Sequence, residues 1–305
     1  MSKFSTYTAL VLLMVVWGLN VVAIKILVDV FAPITITALR IFTASIVVFL
    51  VLLATNGLRR LTKKEMGTIF IAGLLNVVAH HFFLSIGLTK TTASNTGIVL
   101  GLSPLLTALF AMLFLGERFS IVKLTGIVFG FAGVVFIVVH GSSSVNVVSL
   151  GDLYVFLAVL AQGISFIVIK KAANTFDTRL LTGGMLFSGS IVLFLLGLPM
   201  EPRGFMTLNQ GELLTWLVFF GSAIFATGLG HMVYNRAIHR IGPTEAAIFI
   251  NLSPFFSLVF SHLFLHETIH LLQMFGLLFI VVGVILASGA LDGKHIRYRK
   301  VNFPK

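Results

Sequence analysis

The stretch LSPLLTALFAMLFLGE at residues 102–117 returns as LSPFFSLVFSHLFLHE at 252–267, a shift of 150 residues. Between Ile98 and Val134, thirteen positions are identical at that shift, among them Ser103/Ser253, Pro104/Pro254, Glu117/Glu267, Gly126/Gly276 and Gly133/Gly283. An internal repeat decides the architecture before any other reading. Each copy belongs to an apolar segment long enough to cross a bilayer and is broken near its middle by Ser-Pro. A proline there removes a backbone hydrogen bond and kinks a helix. Lipid tolerates this only where protein or a water-filled cavity satisfies the freed groups. Kinked helices at matching places in two halves are the pattern expected around a midplane binding site, so Pro104 and Pro254 are predicted to flank a cavity.

Hydrophobic residues make up 58% of the 305-residue chain and charged residues 10%. A soluble domain carries about 25% charged residues, so a soluble fold is excluded. The net charge of +11 lies in short basic clusters between apolar runs, not in a nucleic-acid-binding patch. There is no cysteine, hence no disulfide framework and no thiol chemistry. The N-terminus reads as an uncleaved first span, because no small-residue cleavage site follows its apolar run.

About 20 apolar residues cross ~30 Å of hydrocarbon. Ten such segments are predicted, at 6–28, 33–53, 66–88, 92–114, 121–140, 150–169, 179–198, 212–236, 243–265 and 270–289. The expected fold is thus an all-α integral membrane protein of ten transmembrane helices, built as two inverted five-helix repeats. The expected divisions are 1–140, 141–289 and a basic cytoplasmic tail at 290–305. Five spans is an odd number, so the second half enters the membrane upside down. With the N-terminus cytoplasmic, inner segments hold 17 of the 21 Lys and Arg, and outer loops only Lys90 and Arg203. That asymmetry places both termini in the cytoplasm. Gly126, Gly130 and Gly133 form a small-residue stripe, which lets helix backbones approach closely. Packing within the chain is the preferred reading of the stripe, with a homodimer face as the alternative.

Several short motifs carry a resemblance. The first span reads WGLNVVAIK, the second ALRIFTA, and the fourth ends in FLGE. Together with the five-plus-five repeat, these make the chain resemble the drug/metabolite transporter superfamily, and within it the EamA-like bacterial permeases, over residues 8–140 and 150–289. The resemblance implies a cell-membrane permease, not an enzyme. It would need no cofactor and would use a central cavity and alternating access. Its substrates would be small metabolites such as amino acids, with export the expected direction. The motif residues that match are Trp17, Gly18, Asn20, Lys25, Arg40, Glu117 and Glu267. The second half departs from the pattern at Gln162-Gly163, which stands where Trp-Gly stands in the first, and at His266 in place of Gly116.

Polar residues at mid-depth in a span usually face a bundle interior or cavity. The candidates to bind substrate are Trp17, Asn20, Lys25, Arg40, Asn76, His81, Ser103, Gln162, Asn251 and Ser253. The competing reading is interhelical hydrogen bonding, worth only about 0.6 kcal/mol each. His80, His81 and His231 are candidate proton relays or neutral bundle residues. Glu117 and Glu267 close equivalent spans and are read as gates or as exposed turn residues. Arg40 lies about seven residues inside its span, roughly 10 Å below the outer interface. With help from Lys25 it is expected to hold a substrate carboxylate or to close an outer gate against Asp29, Asp152 or Glu267; a structural ion pair or carbonyl contact is the equal alternative.

HETIH at 266–270 matches the H-E-x-x-H pattern of zinc proteases. It falls at a short turn and its Glu267 repeats Glu117, so no metal site is expected. The partners expected are a small-molecule substrate and the lipid bilayer, with no nucleic acid. An uncoupled facilitator or importer is the closest alternative, and an intramembrane metalloenzyme a remote one.

Overall fold

The computed structural model describes residues 3–91, 96, 99–117, 120–141, 150–265 and 271–287. Every regular element among them is helical. Helix α1 runs Lys3–Val30, α2 Pro33–Ala54 and α3 Lys63–Leu88. The first half continues with α4, Ser103–Leu115, and α5, Ile121–Gly141. In the second half, α6 is Leu150–Ala173, α7 Thr178–Met200 and α8 Leu213–Ile241. It ends with α9, Pro243–Ile248, α10, Leu252–Leu265, and α11, Leu271–Ala287. Seven of the described helical segments are long and apolar enough to cross a membrane; α4 is shorter. The expected tail at 290–305 and the HETIH segment, with Glu267, lie outside the described residues.

The helix ends follow from sequence chemistry. Pro33 and Pro243 each open a helix, where the missing N–H has no partner to lose. Gly116 ends α4 with φ +65°, a left-handed cap that costs glycine little. Thr62 and Glu65 cap α3 reciprocally, each side chain bonding the other's backbone N–H. Helix α2 lacks a local cap. Glu201, at the end of α7, instead accepts from the backbone N–H of Ile34 (2.9 Å) and Thr35 (2.8 Å).

The Ser-Pro breaks are sharper than a kink. Residues 101–102 form a turn, and α4 starts at Ser103 with Pro104 in its first turn. In the second half, a 3-10 turn, Phe249–Asn251, separates α9 from α10, and Pro254 lies in the first turn of α10. The axis therefore breaks just before each proline. The proline then occupies positions where it removes no hydrogen bond.

A second irregularity is symmetric as well. Leu74–Ala79 within α3 and Ser222–Leu229 within α8 are π-helical. Such segments widen the turn and free backbone carbonyls, and they are frequent at functional sites.

The halves interlock. Helix α1 packs on α10 as α6 packs on α4; α3 packs on α6 as α8 packs on α1; and α3 packs on α7 as α8 packs on α2. Two tight pairs, α2 with α7 and α5 with α11, join equivalent helices. The glycine stripe serves the second pair: a Cβ on Gly133 would stand 2.5 Å from the Gly276 carbonyl oxygen, and one on Gly283 2.4 Å from the Gly130 nitrogen. Within the chain, then, the stripe holds α5 against α11. The WG and QG dipeptides occupy equivalent contacts. Gly18 abuts Phe256 and Ser257 of α10, and Gly163 abuts Thr107 and Phe110 of α4. Large apolar side chains such as Leu50, Leu53, Phe114, Leu213 and Leu278 point outward, as lipid requires.

Candidate functional site

The two π segments bring the buried polar residues together. In α8 the segment places Ser222 and Thr227 beside Arg40 of α2. The Arg40 guanidinium is buried and donates from Nη1 to Ser222 Oγ (3.4 Å) and to Thr227 Oγ1. Ser222 in turn donates to Asn20 Oδ1 of α1 (2.5 Å). Among the described residues no carboxylate lies within ion-pair distance of Arg40. Trp17 lies one turn before Asn20 and donates its indole N–H to the Ala226 carbonyl (2.9 Å), inside the same π segment. Its ring lies 5.7 Å from His231 and 5.0 Å from Tyr234.

The α3 segment builds the matching arrangement in the other half. Asn76 donates to Ser165 Oγ of α6 (2.8 Å), and its own Oδ1 is buried without a partner. His80, just past the segment, bonds the Ala158 carbonyl through Nδ1 (3.1 Å) and Gln162 through Nε2 (3.2 Å). Gln162 also lies at the limit of hydrogen bonding to Ser103 Oγ (3.5 Å). The imidazoles bridge the two arrangements. The His80 and His81 centroids are 4.8 Å apart, and those of His81 and His231 6.2 Å. His231 Nδ1 bonds the Thr227 carbonyl (2.9 Å).

Asn251 stands at the break between α9 and α10. It is buried, both amide atoms lack a partner among the described residues, and it faces Gly130 of α5. A buried amide without partners carries a desolvation cost of about 1–3 kcal/mol, which water or a polar solute can offset. Ser253 and Ser103 are buried beside the two prolines.

Three residues expected near Arg40 stand elsewhere. Lys25 is exposed and pairs with Asp29 one turn away (2.8 Å), because the i, i+4 spacing offers a partner before the bundle does. Asp152 is buried and accepts from Thr91. Tyr154 stacks on Phe83. Glu117 accepts from Thr244 Oγ1 (2.8 Å), joining the end of α4 to the start of α9.

Sequence reading missed Glu245. It is buried in the first turn of α9, accepts from the Tyr7 hydroxyl and pairs with Lys3 Nζ (3.0 Å). Nearby, Lys170 donates to the His239 carbonyl (2.5 Å). These contacts close the bundle end that carries the N-terminus. A carboxylate in the first turn of an apolar helix reads as a helix-dipole complement, so its sequence gave no sign of a contact 238 residues away. The π segments had no sequence signal either.

Comparison with known proteins agrees with this architecture. Residues 4–139 and 149–289 each match the EamA-like transporter family. The chain is 25% identical over 272 residues to the uncharacterized transporter YyaM of Bacillus subtilis, with 88% of each protein covered. It is 27% identical to an uncharacterized transporter of Archaeoglobus fulgidus, covering 92% of this chain and 97% of that one. Similarity extends to an Arabidopsis thaliana WAT1-related chloroplastic protein, at 24% identity over 93% of this chain and 70% of the plant protein. A solved crystal structure superposes with a TM-score of 0.80 over 95% of this chain and 99% of its own, at 18% identity, which speaks to the fold alone. The chain belongs to the EamA-like transporter family and is a multi-pass membrane transporter of the drug/metabolite superfamily.

Proposed function

We propose that the protein is a cell-membrane permease that moves a small solute bearing a carboxylate, an amino acid or a close relative, in the outward direction. Ten spans form two inverted units, 1–140 and 141–289, followed by a basic tail at 290–305, with both termini cytoplasmic. The units rock about the π-helical centre so that it opens alternately to either side. Glu117 and Glu267, at the ends of equivalent spans, act in closing the two mouths, and the breaks beside Pro104 and Pro254 give the broken helices their freedom to bend.

One observation carries the choice of solute. Arg40 is buried and, among the described residues, has only hydroxyl oxygens as partners. An unpaired buried charge is costly, whereas a guanidinium suits a carboxylate through its bidentate fork. Trp17, Asn20, Asn76, His81, Ser103, Gln162, Asn251 and Ser253 supply the apolar wall and the neutral hydrogen-bonding groups around it. Lys25 is kept for the outer mouth, where its exposed pair with Asp29 meets the incoming or departing solute.

The test is efflux of amino acids from proteoliposomes. Arg40→Lys keeps the charge and loses the fork; Arg40→Gln loses both. Efflux should fall in both variants, by roughly thirtyfold in Arg40→Gln if a charged hydrogen bond of ~2 kcal/mol is lost. Arg40→Gln that inserts normally and transports at the wild-type rate refutes the assignment.

A further inference from the structure

We infer that the site takes up a proton together with the carboxylate of its solute, with His231 as the proton acceptor, so that solute leaving down its own gradient carries a proton in the same direction. The inference rests on the reading of Arg40 as the carboxylate-binding group.

The chemistry of the partners fixes the protons. A carbonyl oxygen only accepts, so His80 and His231 each donate from Nδ1, to Ala158 and Thr227 respectively. An amide nitrogen only donates, so His80 Nε2 accepts from Gln162. His80 is thereby held neutral with both nitrogens used. His231 is different. Its Nδ1–H is fixed on the Thr227 carbonyl, and among the described residues no donor bonds its Nε2, so a lone pair stays open to a proton. His81, 6.2 Å away, has a buried Nε2 that also lacks a partner.

Arg40 and His231 meet on one residue. Thr227 accepts from the guanidinium through Oγ1 and from His231 through its backbone carbonyl. A proton on His231 therefore puts a second cation across a single residue from the first, inside an apolar bundle where charges are weakly screened. The titratable or charged groups facing His231 are His81 and His80 from α3, Arg40 from α2 and Tyr234 from its own helix; α1 presents Trp17. The carboxylates of the other packed helices have their own partners: Asp29 with Lys25, Asp152 with Thr91, Asp177 with Arg179 and Glu245 with Lys3; Lys170 donates to the His239 carbonyl. No carboxylate among the described residues is placed to balance a charged His231. The solute carboxylate on Arg40 supplies that balance. Binding of either partner then favours the other to the same degree, since coupling is reciprocal. The solute carboxylate and the added proton cancel locally, so the region around Arg40 gains no net charge from the pair.

The test uses full-length protein in liposomes whose lumen holds an equimolar mixture of the twenty protein amino acids and a pH-reporting dye, with the membrane potential clamped by potassium and valinomycin. Amino-acid efflux and lumenal pH are followed together against protein-free vesicles. The lumen should turn alkaline as amino acids leave, and His231→Gln, which can still donate to the Thr227 carbonyl, should lower the ratio of protons to amino acids by about tenfold. Efflux with no pH change overturns the inference and leaves the transport reading standing. No efflux above the protein-free control overturns both. If His231→Gln fails to insert, the Trp216→Phe protein decides the site, because Trp17 is then the only tryptophan. Its fluorescence should be quenched on acidification by the adjacent imidazolium, and a pH-independent signal refutes His231 as the acceptor.

Discussion

The two π-helical centres share a backbone and differ in chemistry. Each lies in the third helix of its half, each precedes a histidine at equivalent positions, His81 and His231, and each faces the first helix of the other half. Around the α3 segment the opposing groups are Gln162 and Ser165; around the α8 segment they are Trp17 and Asn20. The second helices diverge further. Aligning ALRIFTASIV with GGMLFSGSIV sets Arg40 against Met185, a fully buried apolar residue. Duplication thus preserved the device that opens the helix, while substitution made one centre cationic and left the other neutral.

Four predictions probe that comparison. The largest effect is expected where the halves touch most closely. Gly18→Ala puts a Cβ 2.4 Å from the Phe256 Cβ and 2.8 Å from the Ser257 nitrogen, whereas Gly163→Ala meets the Phe110 ring at 3.1 Å and the Thr107 nitrogen at an ordinary 3.7 Å. Backbone cannot yield as a ring can, so Gly18→Ala should cost about 3 kcal/mol and Gly163→Ala about 1 kcal/mol. Thermal unfolding in detergent measures both; equal losses would show that the two contacts are equivalent.

The helix caps come next. Helix α2 depends on a distant carboxylate, Glu201, and α7 on an adjacent one, Asp177, which accepts from the Arg179 backbone N–H (2.8 Å). Glu201→Ala breaks three hydrogen bonds, including that from Thr35 Oγ1, and should cost about 2 kcal/mol. Asp177→Ala should cost about 1 kcal/mol. The same unfolding assay ranks them, and the reverse order would mean that the tertiary cap contributes nothing.

Asp177 also gives a pH signature. Its hydrogen bond from the Arg179 guanidinium holds the carboxyl below the usual carboxylate range. The folded-state value is depressed, so the stabilisation is complete above an unfolded value of about 4 and is lost as pH falls through the folded value. A stability profile below pH ~4 should be flatter in Asp177→Asn than in wild type.

The smallest effects belong to the neutral polar pairs. Asn76→Ala removes one interhelical hydrogen bond and Ser222→Ala two, one of them long at 3.4 Å, each worth about 0.6 kcal/mol. Stability should hardly distinguish them, while transport should: Ser222 touches Arg40 and Asn20, so its loss should slow efflux more than loss of Asn76. Equal rates would argue that both centres contribute alike.

Much of the architecture is determined by the sequence itself. Low charge and long apolar runs force spans, because backbone groups in lipid must be satisfied within the helix. The repeat at 102–117 and 252–267 marks the halves, and Pro33, Pro243 and Gly116 mark helix ends through local rules. The candidate site was legible only as a set of unusual residues, with Arg40, Trp17, Asn20, Gln162 and Asn76 standing out because polarity is rare in a span. Their partners were decided only by the tertiary structure. Lys25 satisfies itself along its own helix, while Arg40 finds Thr227 187 residues away, Trp17 finds Ala226 and Glu245 finds Tyr7. The physical reason is one of range. Periodicity, capping and proline chemistry act over one or two turns and are written in adjacent residues. Which buried donor meets which acceptor depends on where the π segments and the breaks before Pro104 and Pro254 aim each helix once both halves are packed.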